Sequence, residues 1–574
     1  MKENADHPDF PLSYELVLEQ TTASSGFFAC RPAEEPNFDQ ALKYLRSHPL
    51  DDFMRKHCLD RLRQLPAAEF RQMVRNRPAS DALLGGLLLE ACLIFSEFKD
   101  QLAGFEPGEI ESFLPLTSLI YLKSHLLPDQ SIHGRWAEIF HANIYGHHPL
   151  PSPRAAGLPL PFPPSAEPLA QDERNIKDII KSFQKNQAED EQTRPSAGQT
   201  ADEALKRMTA LGILAGEEMR HESSLSLYAL MRKWKMTIAV RNGRMGYRLA
   251  GIQTAYGKGL TLDTARASYA MEIVERYSAY ASIADDRIPG YHRDHRLVRA
   301  CRTELLTKGC KALDPNTLGL EAPYNNEPLY WLAGHTSQAA GTETVMVPAQ
   351  LTFLFCNLDE ISLTSGLSST GLASGNSLAE AKLHALLEVI ERDAEAINPY
   401  HDCRCFAVNA KEPRMAALFE DYRGRGIQIQ FQDISPDFGV PCCKCFVIGL
   451  DGSIAKGTSA HLDGKRAVMS ALAETPFPYP YGPPSAAGLS HLPILYFEDL
   501  PDFSTGSPAN DLALLETTLS ANGYHPVYVD LTRSDLDLPV IKVFIPGLTI
   551  MNDFDSLTRI NPRLFFNYLK MFPL

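Results

Sequence analysis

The sequence predicts a layered α/β domain (α+β in its strand runs) preceded by a mostly α-helical one. Three observations carry that expectation. From Asn37 to about Ile144, apolar residues recur at spacings of three and four, the helical period. From about Leu225 the texture changes to strand-like runs interleaved with two long helical segments. Residues 257–277, GKGLTLDTARASYAMEIVERY, are nearly repeated at 373–393, ASGNSLAEAKLHALLEVIERD. At 574 residues the chain is too long for one ordinary core, and 44% apolar with 22% charged residues is a globular composition.

In chain order, YELVLEQTTASSGFF at 14–28 accommodates one strand. Helical segments follow at 41–65, 80–98 and 110–127, the second with Ser80 or Asp81 as N-cap. The run PLPSPRAAGLPLPFPPSAEP at 149–168 excludes helix and inner strand, and the charged stretch 171–203 leaves room for one short amphipathic helix. The expected division is therefore a helical domain over 1–148, a linker over 149–203 and an α/β domain over 204–574. Within the last, MTIAVRNGRMGYRLAGIQTAYG alternates around Asn242-Gly243 and reads as a hairpin. Further strands are expected within 345–355, 426–435, 440–451, 525–531 and 538–545, with helices at 261–284 and 377–397.

Bulk properties narrow the function. A net charge of −15 argues against a nucleic-acid surface, which needs clustered Lys and Arg. The N-terminal MKENADHPDF has no signal-peptide apolar run, and the longest apolar stretch, Leu83 to Phe95, is broken by Glu90 and too short for a bilayer. A cytoplasmic protein without a membrane partner is expected. Zinc sites favour a C-x-x-C turn, but in the expected strand VPCCKCFVIGL Cys443 and Cys445 share a face and Cys442 does not, so these three, with Cys403 and Cys405, read as core residues. His147-His148 reads as exposed loop, and His461 as a minor site candidate.

The repeat carries the chemistry. Gly259, Leu262, Ala265, Glu272, Glu275 and Arg276 superpose on Gly375, Leu378, Ala381, Glu388, Glu391 and Arg392. Each copy is a Gly-containing turn, a Thr or Ser, then a helix ending in Glu-x-x-Glu-Arg. Ser268, Glu272 and Glu275 share one helical stripe; Glu380, His384, Glu388 and Glu391 share another. A single such helix is ordinarily a solvated face laced with i,i+3 and i,i+4 pairs. Its duplication with glycines in register points to a shared site, though it also fits an ancient structural repeat.

If both helices face one crevice, Glu272, Glu275, Glu380, Glu388 and Glu391 converge and cannot all stay ionised without cations. Arg276 and Arg392 offset part of that charge. Mg²⁺, which takes carboxylate oxygens together with substrate phosphates, would offset the rest, with Glu272, Glu275, Glu388 and Glu391 as its candidate ligands. Gly257, Gly259, Gly371 and Gly375 free the backbone for close approach, and Lys258 stands where it could meet a phosphate. A Mg-nucleotide site follows. It is not a Walker loop: in GIQTAYGKG, Gly259 occupies the place of the required Ser or Thr.

Four segments resemble the YcaO family: GKGLTLDTARASYAMEIVERYSA, SSTGLASGNSLAEAKLHALLEVIERDA, GTSAHLDGKRAVMSALAE and YVDLTRSDLDLPVIKVFIPGL. The likeness covers about residues 225–550. It implies an ATP and Mg²⁺ site in which Ser268, Glu272 and Glu275 take the first-motif roles and Asn376, Glu380, Glu388 and Glu391 the second. It also implies activation of a peptide-backbone amide: a nucleophile adds, the oxyanion takes the γ-phosphoryl group, and phosphate leaves. A side-chain nucleophile yields an azoline and sulfide a thioamide.

Departures from the family pattern shape the expectation further. Ala373 stands where members often have Ser, and the third motif becomes Ala-Glu474-Thr-Pro-Phe-Pro-Tyr without its Arg. The chain ends KMFPL rather than in a proline-rich tail. The resulting expectation is an ATP-dependent enzyme acting toward a thioamide or related modification of a peptide or protein, with a sulfur-delivery or other accessory protein and a homodimer both allowed. The alternatives are an accessory factor for ribosomal-protein methylthiolation, or a non-catalytic protein that binds ATP or a peptide.

Overall fold

The computed structural model describes residues 12–20, 26–114, 120–163, 174–183, 194–338, 341–366, 368–550, 554 and 558–572. The N-terminal decapeptide and the connector stretches 164–173 and 184–193 lie outside them.

Among the described residues, strands form sheets of eight, seven and five members. The first is built on the expected hairpin, Tyr228–Asn242 with Met245–Gly259, in register from Tyr228↔Gly259 to Asn242↔Met245. Gly243, at φ 57, makes the tight reversal that a hairpin's twist requires. The second sheet runs in the order 311–312, 341–348, 329–338, 527–530, 540–544, 372–374, with Val298–Ala300 pairing beside 329–338, and the third in the order 454–460, 442–448, 430–433, 405–409, 494–496.

Three helices link these sheets. The first acidic helix, Leu262–Ala279, packs on Met245–Gly259 and reaches strand Leu372–Ser374 of the second sheet. The second, Leu378–Ile397, packs on Val540–Phe544 and reaches Ile454–Ala460 of the third sheet. A third, Gly464–Glu474, packs on Ile454–Ala460 and returns to Met245–Gly259. Each helix thus lies between its own sheet and the next. They begin under side-chain caps from Thr261, Ser377 and Asp463. A strand glycine permits the close approach of the first and third helices. A Cβ at Gly257 would lie 2.0 Å from the Ala265 carbonyl oxygen, and one at Gly457 would lie 2.4 Å from that of Ala471.

The expected division at residues 148 and 203 is not a division in packing. Residues 14–28 hold parts of two strands, and the earlier, Ser13–Gln20, pairs parallel with Met245–Gly259. Tyr14 and Phe53 pack edge-on against Tyr247. Asp51 accepts a hydrogen bond from Asn357 Nδ2 at 2.9 Å. Helix Gln130–Gly146 lays Trp136 and Phe140 against Phe565 and Tyr568 of the C-terminal helix Pro562–Met571. A helix with one apolar face must bury it against something, and its own periodicity does not say against what. The connector includes a four-residue helix, Pro153–Ala156, inside the proline run expected to exclude one, with its proline at the first position, where a helix tolerates it. The short helix Ile176–Ser182 and the start of Ala197–Ala210, a flanking helix that packs on the first acidic helix, follow.

Smaller expectations resolve locally. Asp81 caps Ala82–Ile94 by accepting from Leu84 N. Within 345–355 the strand ends at Pro348 and a short helix, Ala349–Thr352, follows. Cys405, Cys442, Cys443 and Cys445 are buried free thiols, and Cys403 is exposed. His147 is no exposed loop residue, because its ring stacks on Tyr400 at 3.7 Å. No helix among the described residues is long and apolar enough to cross a membrane.

Candidate nucleotide crevice

The duplicated helices turn their Glu-x-x-Glu stripes toward one crevice, and each stripe is anchored in the same way. Tyr256 N, in the strand before the first helix, donates to Glu272 Oε2 at 2.9 Å. Gly371 N, just before the short strand Leu372–Ser374 that precedes the second helix, donates to Glu388 Oε2 at 3.0 Å. One carboxylate of each pair is therefore fixed by a backbone amide. Arg276 Nε lies 3.4 Å from Glu275 and 4.0 Å from Glu272. Arg392 Nη1 lies 3.7 Å from Glu391 and 3.8 Å from Glu395.

Electrostatics ties the helices together. Burial, then the charges of Glu388 and Glu272, push the Glu275 carboxyl well above its ordinary range against the pull of Arg276. Burial, with Glu388, Glu395 and Glu474 behind it, pushes Glu391 up to about 8 despite Arg392. Glu272 is also raised, chiefly by burial and further by Glu474, while Arg276, Tyr256 N and Lys258 oppose the rise. The crevice holds more negative charge than its own cations satisfy.

Glu380 does not join this group. It lies in the first turn of its helix, two turns or about 12 Å along the axis from Glu388. There it accepts from Asn376 N and Nδ2 at 3.1 and 3.0 Å and meets Arg194 Nη2 at 2.6 Å. Burial works against ionisation, yet Arg194, His384 and Asn376 hold this carboxyl below its ordinary value. His461 lies at the same end, pushed to about 3 by burial, Arg466 and His384. The fifth carboxylate of the central group is instead Glu474, the last residue of the third helix. Its Oε2 pairs with Lys258 Nζ at 2.6 Å, so the lysine expected to meet a phosphate is engaged by a carboxylate. Ser268 is exposed, one turn before Glu272.

Sequence reasoning missed three contributors. Arg194 and Thr200, the latter donating to Asn376 Oδ1 at 2.9 Å, come from the region taken as linker. Lys542 is buried in strand Val540–Phe544 and donates to the Thr370 carbonyl at 2.7 Å and the Ser368 carbonyl at 3.4 Å. It faces Glu388 and Glu275, and burial lowers its pKa to about 8. A lone lysine inside the apolar run VIKVF was the available signal. Replacing Lys542 by Met leaves Glu275 and Glu388 opposed with Arg276 as the cation that still faces both. The expected cost is about 3 kcal/mol, read as a fall in the Tm of the ligand-free protein.

The donor set fits Mg²⁺. It consists of hard carboxylate oxygens whose raised pKa values mark a demand for positive charge. One expectation needs correction. Among the described residues no three His, Cys, Asp or Glu side chains come close enough to cage an ion, so Glu272, Glu275, Glu388 and Glu391 do not form a ready-made four-ligand site. Mg²⁺ normally takes one or two carboxylates and completes its shell with phosphate and water oxygens.

The family model described as YcaO cyclodehydratase, ATP- and Mg²⁺-binding, matches residues 256–476 and 478–549, more than half of the chain. The chain belongs to the YcaO family. The match breaks at Phe477, between the two prolines that follow the third helix. A protein of Methanothermobacter thermautotrophicus described only as uncharacterized is 30% identical over 332 residues, 52% of this chain and 82% of that one. A Rhizobium leguminosarum protein from the tfuA 3′ region is 26% identical over 38% of this chain and 53% of its own length. Among solved structures, the YcaO protein of Methanopyrus kandleri bound with AMPPCP and Mg²⁺ is 21% identical, with a TM-score of 0.43 over 62% of this chain and 91% of that one. A heterocyclase solved with substrate and cofactor is 18% identical, with a TM-score of 0.48 over 68% of this chain and 57% of its own.

Proposed function

We propose that this YcaO protein uses ATP and Mg²⁺ to phosphorylate the carbonyl oxygen of a peptide-backbone amide, on the way to a thioamide or related modification. The observation that carries this reading is the crevice itself. Two duplicated helices bring Glu272, Glu275, Glu388 and Glu391 into one field, where burial and mutual repulsion raise the pKa of Glu275 and Glu391.

The chain's own residues have definable tasks. Tyr256 N and Gly371 N hold Glu272 and Glu388 still, so that a ligand meets carboxylates already in place. Mg²⁺, held by carboxylates of this set, would supply charge neutralisation for the triphosphate. Glu275 and Glu391 give up protons as that charge arrives. Arg276, Arg392 and Lys542 spread the negative charge of the group in transfer. Asn376, Glu380, Arg194, Thr200 and Ser268 lie toward the N-terminal ends of the two acidic helices, and we assign them to the rest of the nucleotide. An external nucleophile such as hydrosulfide adds to the amide carbon, the carbonyl oxygen takes the γ-phosphoryl group and ADP leaves. Loss of that oxygen as phosphate then leaves sulfur in its place.

A second reading, a non-catalytic ATP- or peptide-binding protein, draws on the third helix, which stops at Glu474 under a Thr475 cap with no arginine after it. Peptide-stimulated release of phosphate from ATP separates the two. Stimulation supports the enzyme. Tight Mg-ATP binding with no turnover across peptide mixtures and sulfide supports the binding protein.

A further inference from the structure

A cavity of about 630 Å³ opens beside the crevice, within the range that encloses a substrate-sized guest. Its position separates it from most of the nucleotide machinery. Glu272 and Arg276 line it, whereas Asn376, Glu380, Glu388 and Glu391 do not. A guest there sits beside the first acidic helix, adjoining the carboxylates yet leaving the second helix to ATP.

The walls have two origins. One comes from the N-terminal region: Phe28 and Ala29 of strand Gly26–Pro32, with Asp52, Phe53 and Lys56 of helix Asp52–Arg63. The family match begins at residue 256, so this wall lies outside the matched residues. The other comes from Gln253, Tyr280 and the segment 354–366. In that segment Phe355 adopts φ 51, a left-handed conformation unfavourable for a bulky side chain. Its ring lies parallel to that of Tyr280 at 5.9 Å and tilts against Phe53 at 6.4 Å. Strain of this kind is retained where the surroundings fix a side chain for a purpose.

The charged groups in the walls are internally engaged. Asp52 pairs with Arg55 and Lys56. Glu360 accepts from Tyr330 N and Gln350 Nε2, and Glu272 from Tyr256 N. What remains for a guest is aromatic surface from Phe28, Phe53, Tyr280 and Phe355, with hydroxyls such as Ser362 around it. Away from the edge where Glu272 and Arg276 adjoin the crevice, that chemistry suits an apolar side chain and its flanking backbone.

We propose that this cavity receives the residue of the substrate peptide next to the activated amide, and that it selects an aromatic or large aliphatic side chain there. The N-terminal region would then choose the substrate that the YcaO core modifies. The inference rests on the amide-activation reading and names its specificity pocket.

The test uses the full chain with Mg²⁺ and a non-hydrolysable ATP analogue. Capped peptides acetyl-Gly-Xaa-Gly-Gly-amide, with Xaa Phe, Leu, Ser or Lys, are ranked by saturation-transfer NMR. Two substitutions fill the cavity from opposite walls, Ala29→Trp and Ser362→Phe, so that the failure of one to fold leaves the other. Expected is at least a tenfold preference for Phe and Leu peptides, lost in either folded variant while analogue affinity stays within twofold of wild type. Equal binding of all four peptides, or a preference that survives both substitutions, overturns the proposal. So does a tenfold loss of analogue affinity in the variants, which would give the cavity to the nucleotide. If wild type keeps the peptide preference but binds no analogue, the amide-activation reading fails and the pocket stands.

Discussion

Replacing Glu391 by Gln lowers Mg-ATP affinity by about 100-fold at pH 8 while raising the Tm of the ligand-free protein. Gln mimics the protonated carboxyl, and with a pKa pushed up to about 8 the native side chain is already half neutral there. Folding at pH 8 therefore gains, because the unfolded wild-type carboxyl is fully ionised and burying it works against the fold, whereas Gln is neutral in both states. Binding loses a negative charge aimed at the metal, a loss at least as large as the 10- to 100-fold effect of removing a metal site's outer-shell partner. Titration calorimetry with Mg-ATP, paired with thermal melts, reads both quantities. A change in affinity below threefold would show that Glu391 serves only to pack the helix.

The second large effect is on pH. Ligand-free crevice carboxyls hold protons that Mg-ATP must displace, so affinity falls about tenfold per pH unit, for each proton released, between pH 8 and pH 6. Stability runs the other way. Glu391 has a folded-state pKa of about 8 against an ordinary 4.5, so the folded chain holds the proton more tightly than the unfolded chain. This contribution is fully present below about pH 4.5 and is lost as pH rises through about 8. Within that window the ligand-free Tm should drift downward with rising pH. Saturating Mg-ATP should raise Tm more at pH 8 than at pH 6. Calorimetry and melts in matched buffers check both slopes, and a pH-independent affinity would mean that the crevice carboxyls are ionised before the ligand arrives.

The parts of this molecule legible in the sequence are those in which neighbours along the chain also do the work. The Glu272–Glu275 and Glu388–Glu391 stripes lie on helices whose periodicity fixes their facing. The Asn242-Gly243 hairpin forms because its turn chemistry is local. Glycines 257 and 375 gave notice of helix–strand contact because no other residue fits there.

The rest depends on contacts between distant segments. Nothing within 197–210 announces that this helix packs on the first acidic helix, or that nearby Arg194 meets Glu380 across 186 positions. Lys542 reads as an anomaly in an apolar strand until Glu275 and Glu388 surround it. Glu380 matched the stripe by spacing alone, but its place in the first turn removed it from the central group. The helical N-terminal region hid its attachment for the same reason, since the parallel partner of Ser13–Gln20 begins more than two hundred residues later.

One titration bears most directly on the claim that the two acidic helices share a metal-bound triphosphate. ATP is titrated into wild type and into the Glu272→Gln, Glu388→Gln double variant, each with Mg²⁺ and with EDTA. The account predicts saturable one-to-one binding only for wild type with Mg²⁺. Binding of equal affinity without the metal, or in the double variant, would contradict it.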